Sequence, residues 1–194
     1  MTWVLVGVIV VLLIIVAVFA VREQRTRQLR REFGPEYDRV VAERDGQQAG
    51  ERELRERRER IDSFEIRDLD PAAQRRYAQR WHATQRRFVD EPEAAVGEAH
   101  LLVQEVMRER GYPVEGDFEQ RAADISVDHA DVVDNYREAH AISVRAQDGG
   151  ASTEQLRQSM VHFRALFDEL LGPEDARPDP HDQRSVAEPT NRSR

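Results

Sequence analysis

Hydrophobic positions change character three times along this chain. From Trp3 to Val21, nineteen consecutive residues carry neither a charge nor a hydrogen-bonding aliphatic side chain. As a helix, that run is about 28 Å long, close to the ~30 Å hydrocarbon core of a bilayer. The pattern predicts a transmembrane helix over residues 1–21. A cleaved signal peptide fits less well. Met1 and Thr2 carry no basic side chain, and Val18-Phe19-Ala20 is a weak cleavage site.

Apolar residues then become sparse. Residues 22–60 hold twelve arginines and ten acids, with Leu29, Phe33, Tyr37, Val40, Val41 and Leu54 as the only sizeable apolar side chains. Charge on most faces predicts a solvated helical spacer, broken at Phe33-Gly34-Pro35 and loosened from Gly46 to Gly50. Ile61, Phe64, Ile66 and Leu69 suggest an extended connector, so residues 22–70 read as a charged stalk and connector.

Helical periodicity becomes dense over residues 71–171. Asp70-Pro71 is a cap followed by proline at the first helical position, and Tyr77, Trp81, Thr84 and Phe88 share one face after it. A second helix starts near Glu91-Pro92, carries Ala95, Val96, Ala99, Leu102, Val103, Val106 and Met107 inward, and stops at Gly111 and Pro113. Residues 114–128 read as a loop with a short helix from Phe118 to Asp124. A third long helix is expected from Ala130 to Ala146, with Val132, Val133, Tyr136, Ala139 and Val144 inward. After the Asp148-Gly149-Gly150 turn, Ser152 and Gln155 form a capping box for a last helix packing Leu156, Met160, Phe163, Leu166, Phe167 and Leu170. No segment has strand periodicity. The fold class is therefore all-α: a transmembrane helix, a charged helical stalk, a small four-helix bundle, and a proline-rich tail over residues 172–194 expected to be disordered.

Composition narrows the chemistry. All 29 basic residues are arginine and there is no cysteine. Schiff-base lysines, a P-loop lysine, disulfides, thiolate nucleophiles and cysteine-held metals are thereby excluded. Arg22, Arg25, Arg27, Arg30 and Arg31 face only Glu23 across residues 22–31. By the positive-inside rule this cluster places the soluble part in the cytoplasm, with those five arginines against anionic lipid; an extracytoplasmic placement is the alternative. Residues 61–194 carry 17 arginines and 27 acids, a balance that disfavours nucleic acid.

The stretches REFGPEYDRVV, RYAQRWHATQRRFVD, HLLVQEVMRERGYPVEGDFEQRAADISVDHADVVDNYREAHAI and TEQLRQSMVHFRALFDELL resemble a group of uncharacterised actinobacterial single-pass membrane proteins, often called hypothetical or secreted. The resemblance implies a membrane location and a bacterial source. It implies no activity, ligand or catalytic residue.

Candidate chemistry is thin. His129 and His140, eleven residues apart, would lie about 20° apart on an ideal helix, yet roughly 16 Å apart along its axis, too far to share one ion. Neither Glu-x-x-His nor His-Glu-x-x-His occurs. No catalytic residue, cofactor or metal is expected. Tyr112, Pro113, Phe118, Arg121, His129, Tyr136 and His140 are the candidates for a partner or ligand surface, although for Tyr112, Pro113 and Phe118 pinning their loop to the core is the preferred role. Arg75, Arg76, Arg80, Arg86 and Arg87 stand without an acid between Pro71 and Val89, whereas residues 115–138 hold eight acids against Arg121 and Arg137. Intramolecular pairing of these segments is preferred to two docking faces. The expected function is a membrane-anchored, non-catalytic adaptor or scaffold presenting an acidic helical bundle to a protein partner. The alternative is a ligand-sensing or enzymatic domain with a pocket around Tyr77, Trp81, Tyr136 and His140.

Overall fold

The structure, a computed structural model, describes residues 2–172, without the side chains of Thr2, Val4, Leu5, Val8 and Val11. The expected disorder of the tail from Pro173 on lies outside the described residues. Among those described there are seven helices and no strand: α1 (Thr2–Glu43), α2 (Gln47–Asp62), α3 (Pro71–Arg87), α4 (Pro92–Arg110), α5 (Phe118–Ile125), α6 (Val133–Gln147) and α7 (Thr153–Leu171). The chain divides into two compact units, one of Met1–Glu65 with Glu115–Asp134, the other of Ile66–Val114 with the residues from Asn135 on.

The first unit corrects the picture of a solvated spacer. Leu29, Phe33, Tyr37 and Val40 of α1 and Leu54 and Ile61 of α2 are buried. Leu29 with Phe33, Tyr37 with Val40, and Leu54 with Ile61 are each spaced to share one helical face. The expected break at Phe33-Gly34-Pro35 is a sharp reversal, because Gly34 takes φ +45° and ψ −126°, a conformation open to glycine. Partners along α2 reveal the path. On the arm before Gly34, Thr26 bonds Glu51 and Glu32 pairs with Arg58; on the arm after it, Glu36 pairs with Arg57 and Arg44 with Glu53. The two arms therefore run along α2 in opposite directions. Gly46, at φ +95°, turns the chain into α2, and Gly50 is a point of close approach instead of a loosened joint.

The described side chains before Arg22 lack any such packing. Trp3 (87% exposed), Leu13 (62%), Val16 (63%) and Phe19 (68%) lie open with the other described apolar side chains of that arm. Among the residues whose side chains are described, no helical stretch is long and apolar enough to cross a membrane. Val4, Leu5, Val8 and Val11, which belong to the apolar run, fall outside that description.

In the second unit, α4 buries Ala95, Val96, Ala99, Leu102, Val103, Val106 and Met107, as the sequence predicts. It packs with α3 and α7. Asp70 caps α3 by accepting from the Ala73 amide at 2.8 Å, and the Ser152–Gln155 capping box opens α7. At the other end of α7, carbonyls with no helical partner accept from side chains: Leu170 from Arg110 at 3.2 Å and Leu171 from Gln74 at 2.9 Å. The fourth helix, α6, begins at Val133, later than expected, and its inner face is set by Tyr136, Ala139, Ile142 and Ser143; Val144 is exposed at 44%.

Candidate functional site

The seven candidate surface residues fall into two different units. Tyr112, Pro113, Tyr136 and His140 belong to the second, and Phe118, Arg121 and His129 to the first. Tyr112 and Pro113 are buried beyond the left-handed Gly111, where the Tyr112 amide donates to Met107 O at 3.0 Å and the Arg110 guanidinium lies 5.8 Å from the tyrosine ring centre. Phe118 opens α5 half-buried, and Arg121 donates to Gly116 O at 2.7 Å, closing its own turn. His129 is not on α6. Its amide donates to Ile125 O at 3.0 Å, extending the end of α5, so the one-helix geometry expected for His129 and His140 does not arise.

His140 instead joins a partner the sequence reading missed. The His100 ring of α4 lies 5.3 Å from the His140 ring and 6.5 Å from that of Tyr136, both edge-on, and stacks on Phe163 of α7 at 5.5 Å. Tyr136 meets Phe163 edge-on at 6.3 Å. Gln104, one turn from His100, lies 2.8 Å from His100 Nε2. A histidine beside an inward stripe, one turn from a glutamine, was the available signal. One turn further along α7, Trp81 stacks on Phe167 at 4.6 Å. Tyr77, Trp81 and Tyr136 are each no more than 4% exposed, so these side chains form packed aromatic groups in the bundle core. Among the described residues, no cluster of three or more His, Asp or Glu side chains could hold a metal ion.

Ion pairing sorts the arginine-rich α3 against α4, not against residues 115–138. Arg76 pairs with Glu109, Arg80 with Glu105, and Arg87 with Glu98 and Glu91. Tyr77 OH donates to Glu109 at 2.6 Å. That bond, followed by those from Arg76, holds the Glu109 carboxylate below its ordinary range, and burial with the same hydrogen bond pushes the Tyr77 phenol up. The Arg80 hydrogen bond likewise lowers Glu105.

The first unit contains the most buried charges. Glu36, with a fully buried side chain, accepts from Arg57 at 2.7 Å and from Arg39 at 2.9 Å. Asp124 on α5, also fully buried, accepts from Arg60 at 3.0 Å and from Gln120 at 2.8 Å. Burial pushes the Asp124 carboxyl up, against the pull of Gln120 and Arg60. This network joins α1, α2 and α5.

The five arginines expected at a lipid surface are all exposed. Arg27 pairs with Glu23 at 3.0 Å and Arg30 lies over the Tyr37 ring at 4.8 Å. Arg22, Arg25 and Arg31 make no ion pair among the described residues. No protein-family model, no curated protein and no solved structure matches the chain.

Proposed function

We propose that the chain is a membrane-anchored, non-catalytic adaptor of the bacterial inner or plasma membrane. The observation that carries this reading is the first arm of α1, whose described apolar side chains from Ile9 to Phe19 are exposed around the whole helix while the following residues pack against α2. A helix that is apolar on every side and covered by no protein calls for lipid. The arginines that follow orient it with both folded units in the cytoplasm.

The adaptor role rests on how the second unit is filled and what it shows outside. Its core aromatic residues, Tyr77, Trp81, Tyr136, Phe163 and Phe167, are consumed by packing. Outward it offers a shallow groove of about 250 Å³ floored by Phe88, Met160 and Val161 and rimmed by Arg157 and Arg164. A small apolar floor inside a charged rim suits a protein segment. The resemblance to actinobacterial single-pass membrane proteins supports the same placement.

The test uses the absence of cysteine. Val89, 83% exposed in the turn between α3 and α4, accepts a unique label as Val89→Cys. The expected result is a protein that stays with membranes after alkaline carbonate washing and reacts with a membrane-impermeant thiol reagent only after lysis. Labelling in intact cells overturns the orientation, and release by carbonate overturns the anchor.

A further inference from the structure

We infer that the first unit contains a built site for a lipid headgroup bearing two phosphates, between the start of α2 and the arm of α1 that leaves the apolar run. The inference rests on the anchored reading above and adds a ligand to it. The reversal at Gly34 lays Phe19, Arg22 and Arg25 alongside the first turns of α2, where they and Arg52 and Arg55 line one cleft of about 690 Å³. That volume is in the range of small-molecule sites.

Two arginine pairs face the cleft, Arg22 with Arg25 and Arg52 with Arg55, each at the i, i+3 spacing that puts both side chains on one helix face. None of the four makes an ion pair among the described residues; Arg55 donates only to the Glu51 carbonyl, at 3.0 Å. The acids of the cleft are mostly committed elsewhere. Glu23 is held by Arg27, and Glu51 accepts from Thr26 at 2.8 Å, Tyr37 at 2.9 Å and Gln47 at 2.8 Å. Glu51 takes its hydrogen bonds from neutral groups and keeps its charge beside Arg55, so Asp45 and Glu51 together offset the four guanidinium groups only in part. Guanidinium pairs recognise phosphate through parallel N–H···O bonds, and two pairs suit two phosphates better than one. Phe19, the last aromatic side chain of the apolar run, forms the cleft wall on the side from which acyl chains would enter. Arg52 and Arg55, more than twenty residues beyond the basic juxtamembrane cluster, thus become part of the lipid-reading surface.

The full chain in neutral detergent micelles is titrated with cardiolipin, which carries two phosphates, and with phosphatidylglycerol, which carries one, at matched total charge. The expected result is saturable binding with about tenfold preference for cardiolipin. Arg52→Gln with Arg55→Gln should abolish the preference and weaken cardiolipin binding about twenty-five-fold, the product of about fivefold per arginine. Arg75→Gln with Arg86→Gln, exposed arginines of the second unit, removes the same charge and should leave the preference intact. Arg22→Gln with Arg25→Gln should repeat the loss from the other wall, and circular dichroism melts confirm that each variant is folded. Equal affinity for the two lipids, or a preference that survives both cleft variants, overturns the inference. Competition by inorganic pyrophosphate as potent as by cardiolipin overturns the lipid assignment in favour of a soluble diphosphate. Failure of the wild-type chain to co-float with neutral phosphatidylcholine vesicles bears on the anchor instead, and the micelle titration reads the cleft independently of it.

Discussion

Gly50 of α2 and Val41 of α1 touch backbone to backbone: a Cβ placed on Gly50 would come within 2.9 Å of Val41 Cα and within 3.2 Å of its amide nitrogen. Main-chain atoms cannot move aside as a side-chain tip can. Gly50→Ala is therefore expected to destabilise the first unit by roughly 1–3 kcal/mol, despite alanine's better helix propensity. Gly97 on α4 is the control, since a Cβ there meets nothing within 4 Å. Gly97→Ala should be neutral or raise Tm. Thermal melts of both variants decide the point, and a Gly50→Ala chain as stable as wild type would remove the close approach from the account.

Glu36 and Arg57 form the second test. Arg57 also pairs with Glu53 at 2.5 Å, so Glu36→Leu takes away one of its two acids and should cost roughly 1–3 kcal/mol. Glu36→Leu with Arg57→Met should recover much of that loss, because an apolar pair of similar volume needs no compensation. A double-mutant cycle in urea measures the coupling. Additive losses would mean that the two side chains act independently.

Acid should loosen α3 from α4 through Glu105 and Glu109. Both carboxylates have folded-state values below ordinary, Glu105 through Arg80 and Glu109 through Tyr77 and Arg76. A group lowered in this way adds stability that is fully present above its unfolded value, about 4.3, and is lost as pH falls through the folded value. Tm should thus hold near neutrality and fall below about pH 4. Glu109→Gln should flatten that acid limb. An unchanged limb in the variant would show that other carboxylates set it.

Ser152 carries a local prediction. Its hydroxyl accepts from the Gln155 amide at 3.3 Å while the Gln155 side chain accepts from the Ser152 amide at 2.9 Å. Ser152→Ala should cost about 1 kcal/mol and Ser152→Asp little, as read by chemical denaturation. Equal losses in the two variants would argue that the cap is not the cause.

What could be read from the sequence was what is local. Asp70-Pro71, Gly111 and the Ser152–Gln155 box are decided by residues within one turn of each other, and α4 declares itself by seven inward positions. The start of α6 expected at Ala130 is three residues early because the chain there is still turning out of α5, the His129 amide donating to Ile125 O; Val133, Tyr136 and Ala139 face in as expected, whereas Val144, eight residues after Tyr136 and so about 80° round the helix, faces out. The hairpin of α1 and α2 was misread for a different reason. Leu29, Phe33, Tyr37 and Val40 are spaced as a helical face, but twelve arginines and ten acids around them gave the segment the composition of a spacer. Much of that charge is turned on itself in pairs such as Glu36–Arg57 and Glu32–Arg58, which composition does not distinguish from solvated charge. His100 was overlooked because its partners His140 and Phe163 are brought to it only by the tertiary fold.

The reversal at Gly34 also fixes mechanical reach. A straight helix from Arg22 to Glu43 would hold its far end about 33 Å from the apolar run, at 1.5 Å per residue. Folded at Gly34, the same residues extend only about 18 Å before turning back, and the turn at Gly46 lies beside the point of departure. The segment is a short clamp and not a boom. A pull on the apolar run is resisted across α2 by the Thr26–Glu51 and Glu32–Arg58 contacts, loaded sideways, before it reaches the glycine hinge.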